Sequence, residues 1–496
     1  MEFLFIDNNT ATDRRSQRLI RSHGMKGKNA GKVISARGHR WRRFGDEKTK
    51  PTRPDSVARG RPLLPKNPLP LADGDRVRAM QAMQAVSPAD PFCGFEFSYF
   101  TTPVPITASS RQLFHDLHNA VSQELYPRAF CRQSNEIGTR WFETLMTNPC
   151  VYHCGLAIMG IHRFQLLGRR DEPIDATRHL LQAMRLLRHD LDAVPNKTYE
   201  TSAIAVIISL AIRANLAGAV AESRTHLHAL QRIVELRPGG LAALCAAVPE
   251  LGNKIRRTDA ELALCAGMPT VFGSRHLPLP APLFSSVSLL DDGWRRSAAL
   301  PCPLQDVCTE LQPAIRDIFV MCSYAGRSQL GTVQFQDLVI SIIQRLVDYA
   351  PLDGARPPRP LDDICQLSFL SFMTTVLHRE PRKRSSYARL LSGLFRARLE
   401  SFCLGTTFSN SVSSHAELAL WLNFTYAMSA ACGSEPCWRV NVDLPTAGRI
   451  CALSEVLAVS TWEDAVAHLR VFPWVEAFHG DTGGSIWAQA TCRLQS

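Results

Sequence analysis

The sequence contains no Cys-x-x-Cys pair, although it has 15 cysteines. Such a pair is the nucleating element of zinc fingers and of redox dithiols, so its absence argues against both. The cysteines are scattered singly, many of them in apolar segments, which is typical of small buried side chains with free thiols. The closest group is Cys150 with His153 and Cys154, where we expect both cysteines on one face of a helix. We therefore predict no metal site and no cofactor.

Long apolar runs are also absent. The nearly apolar run at residues 203–212 ends at Arg213, well short of the about 20 residues that a membrane span needs. The first six residues are mostly apolar, but Asp7 follows directly, with no basic region before them and no small-residue cleavage site. We expect an intracellular protein that has no membrane partner.

Familiar catalytic signatures are missing too. The sequence has no glycine-rich phosphate loop ending in Gly-Lys-Ser or Gly-Lys-Thr, no Gly-x-Gly-x-x-Gly, no His-Glu-x-x-His and no Gly-x-Ser-x-Gly. Adjacent carboxylates such as Asp291 and Asp292 fall in apparent loops, where solvation accounts for them. We predict no catalytic residues and expect that the protein is not an enzyme.

What the sequence does have is a basic first segment. Residues 1–66 hold 17 Lys and Arg against 6 Asp and Glu, and their net charge of +11 equals that of the whole chain. Residues 34–75 are rich in Pro, Gly and Arg and show no apolar periodicity. We predict a largely disordered basic arm at residues 1–75, followed by a neutral body at residues 76–496.

The basic arm is the clearest candidate for a contact with a polyanion. Arginines surround Trp41 and Phe44, which offers phosphate contacts together with flat rings that stack on bases. The arm could bind nucleic acid weakly and in a salt-dependent way, serve as a nuclear import signal, or act only as a solubilising tail. The candidate residues are Arg14, Arg15, Arg18, Arg21, Lys26, Lys28, Arg37, Arg40, Trp41, Arg42 and Arg43.

The body predicts helix after helix, because its apolar residues recur at spacings of three and four and convincing alternating strands are missing. It also shows no fixed sequence repeat. The fold class is therefore all-α, an irregular multi-helix body. Predicted helices span residues 110–125, 151–167, 176–191, 201–216, 219–236, 249–265, 304–322, 335–349, 361–377, 387–404, 414–431, 446–459 and 462–471. The helix at 201–216 is apolar nearly all round, so we expect it at the centre.

Several segments together resemble the fungal-specific transcription factor regulatory domain family, the helical body usually found behind a zinc binuclear cluster. Residues 149–157 are similar to its first core helix, and residues 226–237 with Gly239 and Gly240 are similar to the helix that ends at Arg-Gly-Gly. The other matching elements are Phe3-Leu4-Phe5-Ile6, residues 18–26, Ile255, Asp259, Pro269, Phe472-Pro473-Trp474 and Ile486-Trp487.

Two departures from the family pattern stand out. Pro238 splits the usual Arg-Gly-Gly, and the six-cysteine zinc cluster is absent from this sequence, whose first cysteine is Cys93. The resemblance implies a nuclear regulatory body, but it supplies neither zinc nor a base-reading helix.

These observations leave two main hypotheses. In the first, the protein is a nuclear, transcription-factor-like regulator whose body binds a small effector or proteins of the transcription machinery, and whose arm meets nucleic acid or an import receptor. In the second, it is a cytoplasmic helical scaffold without a role at DNA.

Overall fold

The fold is given by a computed structural model. It describes residues 104–105, 107, 110–111, 113–114, 122–131, 144–166, 174–193, 201–273, 300–326, 330–377, 381–405, 413–430 and 442–492. All of these residues belong to one compact unit that spans Leu71–Ser496.

The described residues confirm the all-α prediction, since they form sixteen helices with defined bounds, further helical residues at 110–111 and 113–114, and no strand. A single parallel bridge joins Cys131 to Leu330. The helices are α1 Ser122–Leu125, α2 Pro149–Leu166, α3 Ile174–Ala193, α4 Thr201–Leu216, α5 Val220–Glu235, α6 Gly240–Ala247, α7 Pro249–Ala266, α8 Cys302–Gln305, α9 Gln312–Tyr324, α10 Thr332–Tyr349, α11 Pro360–Leu377, α12 Pro381–Gly405, α13 Ser413–Ala430, α14 Leu444–Val456, α15 Trp462–Leu469 and α16 Glu476–Cys492.

Local sequence signals set several helix ends. At the start of α15, Thr461 and Asp464 form a capping box in which each side chain accepts a hydrogen bond from the other residue's backbone N–H at 3.1 Å. At the start of α14, the Asp443 side chain accepts from the Thr446 N–H at 2.8 Å. Helix α7 ends at Gly267, whose φ of 76° is in the left-handed region that favours glycine.

Two clusters of buried apolar side chains form the interior. The amino-terminal core is built mainly by α2, α4, α5, α6 and α7, and it includes Tyr152 and Ile208. The carboxy-terminal core is built by α7 and by α9 through α16, and it includes Phe369 and Trp421. Helix α7 serves both cores, because Ile255 lies in the first and Ala263 in the second.

The helix at residues 201–216 is central, as predicted. In α4 most side chains from Ala203 to Asn215 are buried. Helix α11 is enclosed even more completely, since every residue from Asp362 to Leu377 is buried.

Three elements differ from the sequence prediction. The predicted helix at residues 304–322 is wrong in its first half, because α8 ends at Gln305 and α9 begins only at Gln312. Between them the backbone turns so that the Cys308 N–H donates to the Asp362 side chain at 2.9 Å. Helices α6 and α16 were not expected, because each contains or follows glycines that resemble stop signals.

The turn that holds Pro238 is kept. Helix α5 ends at Glu235 and α6 starts at Gly240, and Gly239 and Gly240 have φ values of 76° and 58°. A side chain would be strained at both positions. The glycine pair therefore ends one helix and starts the next within four residues.

None of the described helices is long and apolar enough to cross a membrane.

Candidate functional site

The basic arm predicted as the functional segment lies outside the described residues. This applies to each of its candidate residues, which are Arg14, Arg15, Arg18, Arg21, Lys26, Lys28, Arg37, Arg40, Trp41, Arg42 and Arg43. The described residues show the polar contacts and the titratable groups of the helical body.

Two neighbouring arginines of α7 make polar contacts with residues far away in the sequence. Arg256 donates to the Asp337 carboxylate at 2.8 Å and to the Gln344 side chain at 3.2 Å, both on α10. Arg257 donates at 2.9 Å to the Gln336 side chain of α10 and to the backbone carbonyl of Leu377 at the end of α11. These arginines tie α7 to two other helices, which is a structural use of charge.

A second carboxylate, that of Asp363, is buried at the start of α11. Its side chain is 1% exposed and pairs with Arg356 at 2.7 Å and with Arg398 at 2.5 Å. Gln366, one turn later, donates to the backbone carbonyls of Leu346 and Ala350. The charge of Asp363 is compensated, and it fastens α11 and α12 to the loop after α10.

A third carboxylate, that of Asp259 on α7, holds the loop that follows this helix. Its two oxygens accept the N–H groups of Val271 at 2.8 Å and Phe272 at 2.7 Å. Asp348 on α10 accepts from the Thr270 N–H and hydroxyl in the same loop, at 3.0 and 2.9 Å. Burial raises the pKa of Asp259 to about 7, although the two backbone donors oppose that rise.

Two histidines meet between α2 and α3. The Nδ1 atoms of His153 and His179 lie 2.9 Å apart, and their rings stack with centroids 5.1 Å apart. One Nδ1–H must donate the hydrogen bond and the other Nδ1 must accept it with its lone pair, so the contact requires that at least one of the two rings is neutral. Burial lowers the pKa of both side chains, with the neighbouring His179 adding to the effect at His153 and Asp175 opposing it at His179.

The described cysteines all carry free thiols. Cys150 and Cys154 are both buried on α2, and burial raises the pKa of the Cys150 thiol to about 11 and that of Cys154 further. Neutral thiols are poor nucleophiles and poor metal ligands. Within the described ranges, no three His, Cys, Asp or Glu side chains are grouped so that they could hold a metal ion.

One exposed surface was not foreseen from the sequence. Leu180 of α3 is buried, but Met184, one turn later, is 49% exposed at the edge of the side that also carries the exposed Leu181 and Ile174. The arginines of α3 lie on that same side. We call this surface the α3 outer face, formed by Ile174, Arg178, Leu181, Met184, Arg185 and Arg188. The sequence signal for this surface is a second set of apolar residues on α3, Ile174, Leu181 and Met184, which are spaced by seven and three positions.

Comparison with known families gives one match. The model of the fungal specific transcription factor domain matches residues 118–378, which is more than half of the 496 residues. No curated protein and no solved structure matches the chain. The matched segment contains α2, α5 and α7, whose residues carried much of the resemblance, while Trp474 and Trp487 lie beyond it. The resemblance is thereby confirmed, and the chain belongs to the fungal specific transcription factor domain family.

Proposed function

We propose that this protein is a nuclear regulator of transcription that works by binding rather than by catalysis. Membership of the family through residues 118–378 carries the proposal, since it suggests a transcription-regulatory role. In the proposed organisation, residues 76–496 are the binding body and residues 1–75 are the basic arm.

The polar chemistry of the body supports a non-enzymatic role. The polar groups of Arg256, Arg257, Asp259 and Asp363 join helices and loops. A catalytic site needs titratable groups that converge on a space for a substrate. These groups converge on the protein's own backbone and side chains, so we assign them to the stability of the body.

The arm would supply import, nucleic-acid contact, or both. Residues 1–66 of the arm contain 17 basic residues against 6 acidic ones, while the sequence has no zinc cluster with which to read bases. Phosphate contacts position a protein on nucleic acid without specifying a sequence. We therefore propose an electrostatic and sequence-poor contact with nucleic acid, with an import receptor as the other partner of the same residues.

Localisation of the fluorescently tagged chain tests the proposal. We expect a nuclear signal for the intact chain and its loss when residues 1–66 are removed. A variant with Gln at Arg37, Arg40, Arg42 and Arg43 should lose much of the nuclear signal, whereas Lys at the same positions keeps the charge and should preserve it. An exclusively cytoplasmic signal for the intact chain would contradict the proposal and favour a cytoplasmic helical scaffold.

A further inference from the structure

The α3 outer face combines exposed apolar side chains with positive charge. Ile174 is 71% exposed, and Leu181 and Met184 are each 49% exposed. The Arg178 side chain is 74% exposed, and Arg185 and Arg188 are exposed as well. Residues separated by three, four or seven positions share one side of a helix, so these six side chains form a continuous strip.

The opposite side of α3 holds the helix firmly on the body. Ala176, Leu180 and Ala183 are buried there, and Leu180 and Ala183 belong to the amino-terminal core. The contact between His179 and His153 of α2 lies on the inner side too. The outer face is therefore presented by a helix whose position is fixed by packing, as a rigid docking surface requires.

The exposed apolar side chains of α3 are clustered. Eight large apolar side chains are exposed among the described residues, and three of them lie on the α3 outer face. Single exposed apolar side chains are ordinary, but a contiguous group rimmed by polar residues indicates an interaction site. Met184 adds a flexible side chain of the kind that adapts to a partner.

The charged side chains of the α3 outer face indicate which kind of partner it binds. Asp175 pairs with Arg178 at 3.1 Å, and the exposed Asp192 lies on the same side at the carboxy-terminal end of α3, so Arg185 and Arg188 set the sign at the centre of the strip. A second copy docked through the same face would bring guanidinium groups against guanidinium groups. A nucleic acid would offer phosphates to the arginines, but its backbone gives Leu181 and Met184 no apolar surface to cover.

We propose that the α3 outer face binds an acidic helical segment of another protein that carries apolar side chains along one side. The apolar side chains of the segment cover Ile174, Leu181 and Met184, and its carboxylates pair with Arg185 and Arg188, in the manner of a helix laid against an apolar surface. This inference rests on the proposed role of the body as a protein-binding module. It does not depend on nuclear localisation.

The test uses the full chain and a synthetic probe. The probe is a fluorescein-labelled peptide of about 20 residues, with Leu at positions i, i+3, i+4 and i+7 and Glu flanking them, and fluorescence anisotropy reports its binding. We expect the double variant Leu181→Ser with Arg185→Glu to raise the Kd of the probe at least about tenfold, because one apolar contact and one charge pair are lost together.

The carboxy-terminal end of α5, with the residue that follows it, offers a matched control. Arg232 and Leu236 are exposed and are four residues apart, as are Leu181 and Arg185. The double variant Arg232→Glu with Leu236→Ser should leave the Kd unchanged. A second peptide with Lys in place of every Glu should bind the wild type poorly and should bind the Leu181→Ser, Arg185→Glu variant no more weakly than it binds the wild type.

Several results would overturn the proposal. These are no binding of the acidic peptide up to about 100 μM, equal binding by both double variants, or equal binding of the Glu and Lys peptides by the wild type. Sedimentation that shows a dimer broken by Leu181→Ser with Arg185→Glu would assign the face to a second copy. Loss of duplex binding in that variant alone would assign it to nucleic acid. Because the localisation experiment is separate, a cytoplasmic protein that binds the acidic peptide would refute the nuclear role and keep this inference.

Discussion

A single carboxylate, that of Asp259, fixes the loop after α7 through two backbone N–H groups. Its replacement by Ala leaves both donors buried without an acceptor, and each such group costs about 1–3 kcal/mol. We expect Asp259→Ala to lower the free energy of unfolding by at least about 2 kcal/mol, as measured by urea denaturation. Asp259→Asn keeps one acceptor and should cost less, so equal losses for the two variants would contradict this account.

The raised pKa of Asp259 also gives a pH dependence. Between its ordinary value of 3.8 and its folded value of about 7, the folded state keeps a proton that the unfolded chain has released. This group therefore lowers the free energy of unfolding as the pH rises through that window, by roughly 1 kcal/mol per pH unit. Asp259→Asn does not titrate, so relative to the wild type it should gain stability from pH about 5 to pH about 7. A constant difference would show that the carboxyl group is not buried as described.

Gly483 and Gly484 are neighbouring glycines of α16 whose surroundings differ. A Cβ atom at Gly483 would lie 2.6 Å from Trp462 and 2.9 Å from Trp474, whereas at Gly484 the nearest atom of Trp462 would be 3.6 Å away. We expect Gly483→Ala to destabilise the fold by about 1–3 kcal/mol, because the two indole rings must move. Gly484→Ala should be neutral or stabilising, since Ala favours a helix by up to about 1 kcal/mol. Thermal unfolding of both variants distinguishes these effects.

At the scale of helices, the strongly periodic segments were predictable and the glycine-rich ones were not. Helices α4 and α7 match their predicted ranges within a residue, because apolar spacing and a Pro or Gly at an end act together. Helix α16 was missed because Gly480, Gly483 and Gly484 argue against a helix locally. The glycine at position 483 is explained by tertiary packing, because the rings of Trp462 and Trp474 lie where a side chain would be. No local sequence pattern contains that information.

The buried polar contacts were equally hidden from the sequence. Arg256 and Gln344 are 88 residues apart in the chain, and Gln336 reaches the carbonyl of Leu125 across 211 residues. Such pairs form only after the helices have packed. Asp259 was noted as a family position, but its partners in the following loop became evident only from the structure.

The helix pair α2 and α3 has its own pH dependence. Because the pKa values of His153 and His179 are lowered in the fold, the stability that the pair contributes is complete above the ordinary histidine value near 6.5 and is lost as the pH falls through it. We expect the melting temperature of the wild type to fall, relative to His179→Asn, between pH about 7.5 and pH about 5.5. His189 lies on the same helix with 83% of its side chain exposed, so His189→Asn should behave as the wild type does.

At the scale of the whole molecule, the net positive charge lies in residues 1–66, and basic and acidic side chains balance in the rest of the chain. If the arm binds nucleic acid, affinity should fall roughly a thousandfold or more between 50 and 200 mM salt, with about 6–10 phosphates neutralised. Ala at Arg40, Arg42 and Arg43 should lower the salt slope, while removal of Trp41 should matter most on single strands. Salt-titrated binding to two unrelated duplexes and one single strand measures this. A strong preference for one duplex would show that the protein reads bases.

Helix α7, which contributes Ile255 to one core and Ala263 to the other, has a consequence for how the body unfolds. If α7 detaches from one core, apolar side chains of the other core are exposed as well. Partial unfolding of either core therefore costs free energy in both cores. Trp421, Trp462, Trp474 and Trp487 all lie in the carboxy-terminal half, whereas Cys150 and Cys154 lie in the amino-terminal core. Tryptophan fluorescence and the labelling of Cys150 and Cys154, followed residue by residue by mass spectrometry, should therefore report one coincident denaturation curve. Two separate curves would mean that the body is a pair of independent folding units joined by a shared segment.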